Sequence, residues 1–418
     1  CYNLVEFNDR GVKDMKKTMI VLFILYFIQG LIHNLGHPIT IGLVEDLDVT
    51  NMYGIFFALM SLGLAVGGLF WGILGDKVNK KFLILIGLLI YSTGQYMFGN
   101  VHNIVSMSIF RFVSGFGVSA SVTLMMSYLI QKSDVKNKKR NIAFGAAMMA
   151  LGASIGYLIG GALPELLIDS EGYIGLIYAE QAKVVFLIQA LLNTVFAVIV
   201  YLSLEDCEND PLIKRETMWD GIKSIRHLNV NLLAFLLSLT FVSMAAINLS
   251  KFLERFIVDM GYGASGIGQF VFATGIVGIF TTLFIVPRVF KLKKDIVVMI
   301  SINVLSAIIV AIVFRTSNIM ISLYTLFMGY VVLKAIYTPL ETNFISSHAQ
   351  VGELGKIMGV RQFFFAIGFV IGPIVANILY EIKPIYAFDM SVVMFMLAFV
   401  LTLIVRNNIN KELALDTE

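Results

Sequence analysis

Four groups of residues in this chain have the types and spacing to move charge or hold a ligand. Asp76 is the one acid in the tight loop Gly75-Asp-Lys-Val-Asn-Lys-Lys81, with Lys77, Lys80 and Lys81 around it. A carboxylate so placed is suited to pairing with a charge brought by another segment. Arg111 stands alone in the apolar run 104–130, where a charge is costly unless it faces protein or water. His33 and His37 are one helical turn apart, among Gln29, Asn34 and Pro38, and imidazole titrates near physiological pH. Lys334, Tyr337 and Glu341 share a later run, the lysine and the acid seven apart and so nearly on one helical face. The chemistry open to these groups is ion pairing, proton exchange and ligand contact. No phosphate-cradling loop, nucleophile elbow or metal-ligand series is present in the sequence. An enzyme, direct use of ATP, a metal and a cofactor are therefore not expected.

The elements that must position these residues are membrane helices. The chain is 58% hydrophobic and 14% charged, against about 25% charge in a soluble protein. A spanning helix needs about 20 mostly apolar residues. Twelve such runs are present, near 18–42, 51–74, 82–99, 104–130, 141–167, 183–203, 230–257, 265–287, 296–314, 319–345, 356–380 and 385–405. An even number puts both termini on one side. With that side cytoplasmic, 24 of the 31 lysines and arginines fall in cytoplasmic segments, as the positive-inside rule requires. The first run is too long for a signal-peptide core and lacks a small-residue cleavage site. Met15-Lys-Lys17 precedes it, and Met15 is read as the natural start, with 1–14 an upstream extension. The two cysteines, Cys1 and Cys207, do not make a disulfide framework.

The longest hydrophilic interval lies between runs six and seven and divides the chain. The expected domains are a cytoplasmic segment 1–17, a six-helix bundle 18–203, a central cytoplasmic loop 204–229, a second bundle 230–405 and a tail 406–418. Met218, Ile222 and Ile225 share one face within the central loop, which reads as a short amphipathic helix on the membrane surface. The two halves look like repeats. Gly63–Ile86 aligns with Gly275–Val298 at an offset of 212, and the pair Gly152, Gly156 aligns with Gly368, Gly372 at an offset of 216. Parallel repeats of this kind place a substrate near the bilayer midplane between the halves.

Three glycine-rich patterns carry a resemblance. Gly68, Leu69, Gly72, Gly75, Asp76, Lys80 and Lys81 follow the order of motif A of the major facilitator superfamily, the loop between its second and third helices. Arg111-Phe-Val-Ser-Gly115-Phe-Gly117 resembles motif B, R-x-x-x-G-x-G. Gly152-Ala-Ser-Ile-Gly156-Tyr-Leu-Ile-Gly160-Gly161 resembles motif C, which marks exporting branches, with Tyr157 where that motif has proline. The chain thus resembles the twelve-helix drug/proton antiporter branch. The resemblance implies an all-α membrane protein of two pseudo-symmetric six-helix bundles that rocks about a central cavity. It also implies that the Asp76 loop braces the outward-open state against helix 11 near Arg361, and that Arg111 takes part in proton transfer. Against the last stands an arginine that snorkels to the surface and only packs helices.

Further roles are open at several positions. His33 and His37 are read either as structural hydrogen-bonding groups or as substrate or proton contacts, with a metal pair the remote option. Lys334 either pairs with Glu341 or meets an anionic substrate or a proton. The expected substrate cavity is Gln29, His33, Asn34, His37, Met148, Asn248, Lys334 and Tyr337, with proton coupling at Arg111, His33 and His37. Lys251, Glu254, Arg255 and Asp259 cluster at the outer end of helix 7 as an interfacial set that latches the inward-open state. Asp389 is a weaker proton site. The expected activity is proton-driven export of lipophilic small molecules, or else import of a sugar, osmolyte or organic anion. A transport-silent sensor is the rival from another class. The expected partners are a small-molecule substrate, protons and the lipid bilayer, with no nucleic acid, in a monomer. The setting is a bacterial plasma membrane with both termini cytoplasmic.

Overall fold

The computed structural model describes residues 9–75, 77–134, 137–166, 178–205, 228–292, 294–347 and 354–415. Among these, all regular structure is helical, and twelve helices are long and apolar enough to cross a membrane. They are α1 (Asp9–Asn34), α2 (Tyr53–Gly75), α3 (Lys80–Asn100), α4 (Ile104–Lys132), α5 (Lys138–Leu166) and α6 (Tyr178–Ser203) in the first half. The second half holds α7 (Val230–Asp259), α8 (Gly263–Phe290), α9 (Asp295–Val313), α10 (Ile319–Ser347), α11 (Leu354–Ile382) and α12 (Pro384–Leu415). The even count returns the chain to the side from which it entered, called here the terminal side. Asp76 and the amphipathic segment expected around Met218–Ile225 lie outside the described residues.

Two proline effects reshape the expected spans. The first run, expected to continue to 42, stops at Asn34 and resumes as a short helix Thr40–Asp46. Pro38 explains the break, because its ring would strike the carbonyl four residues back, that of Asn34. In α8 a π-helical turn over Thr281–Ile285 precedes Pro287, which has no N–H to return to Leu283.

The glycine stripes set how closely helices approach. A Cβ on Gly152, Gly156 or Gly160 of α5 would fall 2.0–2.2 Å from the carbonyl oxygens of Phe27, Leu31 and Leu35. That stripe therefore seats α5 directly on the backbone of α1 and its C-terminal extension. The second half repeats the device. Gly368 and Gly372 of α11 lie against Thr240 and Met244 of α7, so the aligned glycines make the same helix pair in each bundle. Gly161 of α5 meets Ala264 and Gly268 of α8, which joins the halves.

Gly68 and Gly72 behave differently. A Cβ there would meet nothing closer than Thr123, at 3.6 and 3.9 Å. This yields a contrast in folding. Gly156→Val should lower the thermal unfolding temperature of the purified protein, by overpacking worth about 1–3 kcal/mol. Gly68→Ala should leave it unchanged. Equal loss in both would contradict the assignment of tight packing to Gly156 and of open space to Gly68.

Candidate functional site

On the side away from the termini the halves meet in a buried polar seam. Lys251 and Glu254 are one turn apart on α7, and their charged groups lie 2.7 Å apart. Both are buried. Each charge needs further partners there, since a buried ion pair offsets its desolvation only when its remaining valences are filled. The first half supplies them. The Tyr157 hydroxyl lies 2.8 Å from Lys251 Nζ and 2.9 Å from Glu254 Oε1. Tyr53 donates toward Glu254 Oε2 at 3.4 Å and lies 3.2 Å from the Lys251 carbonyl. The Lys251 ammonium also sits 4.5 Å from the centre of the Phe57 ring, a favourable cation–π geometry.

His37 closes this set from the first half, stacked between Tyr157 and Phe57 with centroids 5.6 and 5.8 Å away. Asn377 of α11 clamps the start of α2. Its Oδ1 accepts from the Gly54 N–H at 3.0 Å, and its Nδ2 donates to the Asn51 carbonyl at 2.5 Å. Arg255 pairs with Glu381 at 2.7 Å, and Tyr380 donates to Asp259, so these two ties hold α7 to α11 within the second half. At the edge of the seam, burial first and Asp259 second raise the Glu45 carboxyl above its usual range.

On the terminal side the halves part. A cleft of about 570 Å³ lies between α2 and α4 on one wall and α11 on the other, large enough for one drug-sized molecule. Gly68, Gly72, Gly75 and Lys80 line the first wall, with Gly359, Gln362, Phe365, Ala366 and Phe369 opposite. Lys81 lies 5.3 Å from the centre of the Tyr201 ring. A second chamber, of about 130 Å³, lies within the second half and shares Phe365 and Phe369 with the cleft. Lys334, Tyr337, Asn303, Tyr330 and the Glu341–Arg361 pair line it.

Other expected site residues sit inside the bundles. Gln29 donates to Ser121 at 2.9 Å, and His33 shares a 3.1 Å hydrogen bond with Asn193; both are buried among first-half helices. Asn34 donates to the Gly30 carbonyl of its own helix at 2.7 Å. Met148 packs on the first-half core. Asn248 ties α7 to α12 through Ser391, at 2.6 Å, and the Ala387 carbonyl. Asp389 is paired with Arg315 at 2.6 Å.

Arg111 is buried rather than snorkelled. Its guanidinium donates to Thr40 at 3.1 Å and to Gln95 at 3.3 Å, and lies 3.6 Å from the centre of the Phe98 ring. Lys334 and Glu341 do not pair; Arg361 takes both carboxylate oxygens of Glu341 instead. Asn377, Tyr53 and the seam role of Tyr157 escaped the reading of the sequence. The available signal was a lone polar group in an apolar helix, which must find a partner.

Twelve helices in two like bundles, sealed at one end and cleft at the other, are the architecture of a membrane transporter. The family model described as Major Facilitator Superfamily matches residues 22–333, and the chain belongs to that superfamily. It is 23% identical over 395 residues to multidrug resistance protein 1 of Bacillus subtilis (strain 168), covering 92% of this chain and 95% of that one. It is 23% identical over 385 residues to the quinolone resistance protein NorA of Staphylococcus aureus (strain MSSA476), covering 89% and 93%. Its fold is similar to the crystal structure of the nucleoside transporter NupG, with a TM-score of 0.72 at 15% identity, covering 93% and 99%.

The seam predicts its own failure. Tyr157→Phe removes hydrogen bonds to a charged pair worth about 1.5–3 kcal/mol. Thiol labelling of a cysteine placed at Phe57 should rise by about tenfold or more in that variant; unchanged labelling would deny the seam its latching role. Opening the seam rehydrates Glu45 and returns its carboxyl to the ordinary range, so the closed form binds the proton more tightly. Closure should therefore strengthen as pH falls through the raised range, and Glu45→Gln should flatten that part of the labelling profile. A profile unaltered by the substitution would show that Glu45 does not sense closure.

Proposed function

We propose that this transporter exports lipophilic small molecules in exchange for protons, with the terminal side facing the cytoplasm of a bacterial cell. The observation that carries the reading is the asymmetry of the interface between the halves. A buried acid–base seam seals one end while a drug-sized cleft opens at the other. The distribution of lysine and arginine supports a cytoplasmic open end, which would make this the inward-open form. Closing that end would bring α11 onto α2, where Gly68 and Gly72 face Gly359 and Ala366 across the gap. Small residues on both walls let the backbones approach. In that state the Asp76 loop would reach α11 near Arg361.

The names of the two bacterial relatives, multidrug resistance and quinolone resistance proteins, support drugs as substrates, and export is the direction by which a transporter would confer resistance. Arg111 supports proton coupling: it is a buried cation with no carboxylate partner among the described residues, held by Thr40 three residues from His37. The alternative is import of a small metabolite, favoured by the cation that Lys334 presents to the second chamber.

Everted membrane vesicles separate the two. With an acid lumen they should accumulate a lipophilic dye as protons leave, in chain-dependent fashion, and collapse of the gradient should release it. Absence of gradient-driven accumulation, with uptake of a metabolite by intact cells, would overturn export. Arg111→Ala should abolish the dependence on the gradient at near-normal expression, and retained coupling would remove that role. Asp76→Asn should slow turnover by about tenfold or more, the loss of one charged hydrogen bond; unaltered turnover would exclude the brace.

A further inference from the structure

The chamber inside the second half is built around a positive charge that the protein leaves unanswered. Glu341 would be the natural partner of Lys334, seven residues along the same helix, but Arg361 occupies its carboxylate in a forked, charge-assisted pair. The Lys334 ammonium has no hydrogen-bond or ion-pair partner among the described residues, and the residue stands exposed at the chamber wall. With Arg361 and Glu341 cancelling, the chamber carries one net positive charge.

The neutral polar groups around it are only partly satisfied. Among the described residues, the Tyr330 hydroxyl is buried without a hydrogen-bond partner, and the Tyr337 hydroxyl and the Asn303 amide have only each other and Ser238 close by, in no well-formed hydrogen bond. Native interiors rarely leave such groups unpaired, and each deserves an explanation. Three neutral donors and one cation converging on a small space are the donor set for a carboxylate. At the mouth, Phe365 and Phe369 face both this chamber and the larger cleft. They offer apolar faces to whatever the anion is attached to.

We propose that this chamber is a carboxylate subsite, which selects small organic monoanions with an aromatic or apolar body lying in the adjoining cleft. Lys334 holds the anion, the two tyrosines and Asn303 donate to it, and Phe365 and Phe369 pack against the body. This rests on the transport reading above, because it names the substrate class of that cavity.

The test uses the full chain in lipid nanodiscs and calorimetric titration with three matched probes: naphthaleneacetate, naphthylethanol and naphthylethylamine. The acid should bind about 10- to 100-fold more tightly than the alcohol, as a charged hydrogen-bond set supplies, with the amine weakest. Lys334→Gln should erase the preference for the acid and leave the alcohol unchanged, while Lys334→Arg keeps most of it. Equal affinity of wild type for acid and alcohol, or a preference that survives Lys334→Gln, would overturn the assignment. Should Lys334→Gln fail to fold, the Tyr330→Phe, Tyr337→Phe double variant decides, and a preference of wild-type size there overturns it. Acid-selective binding without gradient-driven flux would strike the transport reading alone; flux without acid preference would strike the subsite alone.

Discussion

Everything in this molecule turns on one buried ion pair that neither half can keep by itself. Lys251 and Glu254 belong to α7, yet their remaining hydrogen-bonding capacity is met by Tyr157 and Tyr53 of the other half. Breaking a buried pair is strongly unfavourable because it strands a charge. Moving the whole pair into water is a different matter, since hydration replaces what the tyrosines gave. The seam is thus stable when dry and tolerable when wet, and this is the condition for a gate with two settings. A seam of aliphatic side chains alone would lack that second setting, having nothing to offer the water that replaces its partner.

The rest of the architecture makes the halves rigid enough for the seam to matter. Within each bundle a glycine stripe lays one helix on the backbone of another, α5 on α1 and α11 on α7. Between the bundles the contacts are fewer kinds of surface: small residues where α5 meets α8, and polar clamps such as Asn377 where α11 meets α2. The stripes fix the helices within each bundle, while the contact between bundles mixes close small-residue packing with polar clamps, a surface on which rigid bodies could turn. The stripe at Gly68 and Gly72 differs, being unpacked and facing the cleft.

The sequence carried the architecture because lipid imposes it locally. Twelve apolar runs, their lengths and the repeat of Gly152-x-x-x-Gly156 at Gly368-x-x-x-Gly372 can each be read without knowing any neighbour. Even the break after Asn34 was available in Pro38, four residues on. The site was far less legible, because its contacts join residues distant in sequence. Lys334 and Glu341 have the spacing of a pair, but Arg361, twenty residues beyond Glu341 and on the next helix, outcompetes the lysine with a forked geometry a lysine cannot match. His33 and His37 have the spacing of a shared face, but the helix ends between them, so one turns to Asn193 and the other to the seam. Tyr157 stands where the motif has proline, and its hydroxyl reaches both Glu254 and Lys251 across the halves.

The central claim is that two rigid bundles exchange one closed end for the other. Paired spin labels in the full chain measure this directly, one pair at His102 and Lys383 beyond the seam and one at Lys77 and Leu292 beside the cleft. As pH and substrate carry the protein through its cycle, the account predicts that the first distance lengthens while the second shortens, in the same molecules and in proportion. Two distances that stay fixed, or that lengthen together, would contradict it.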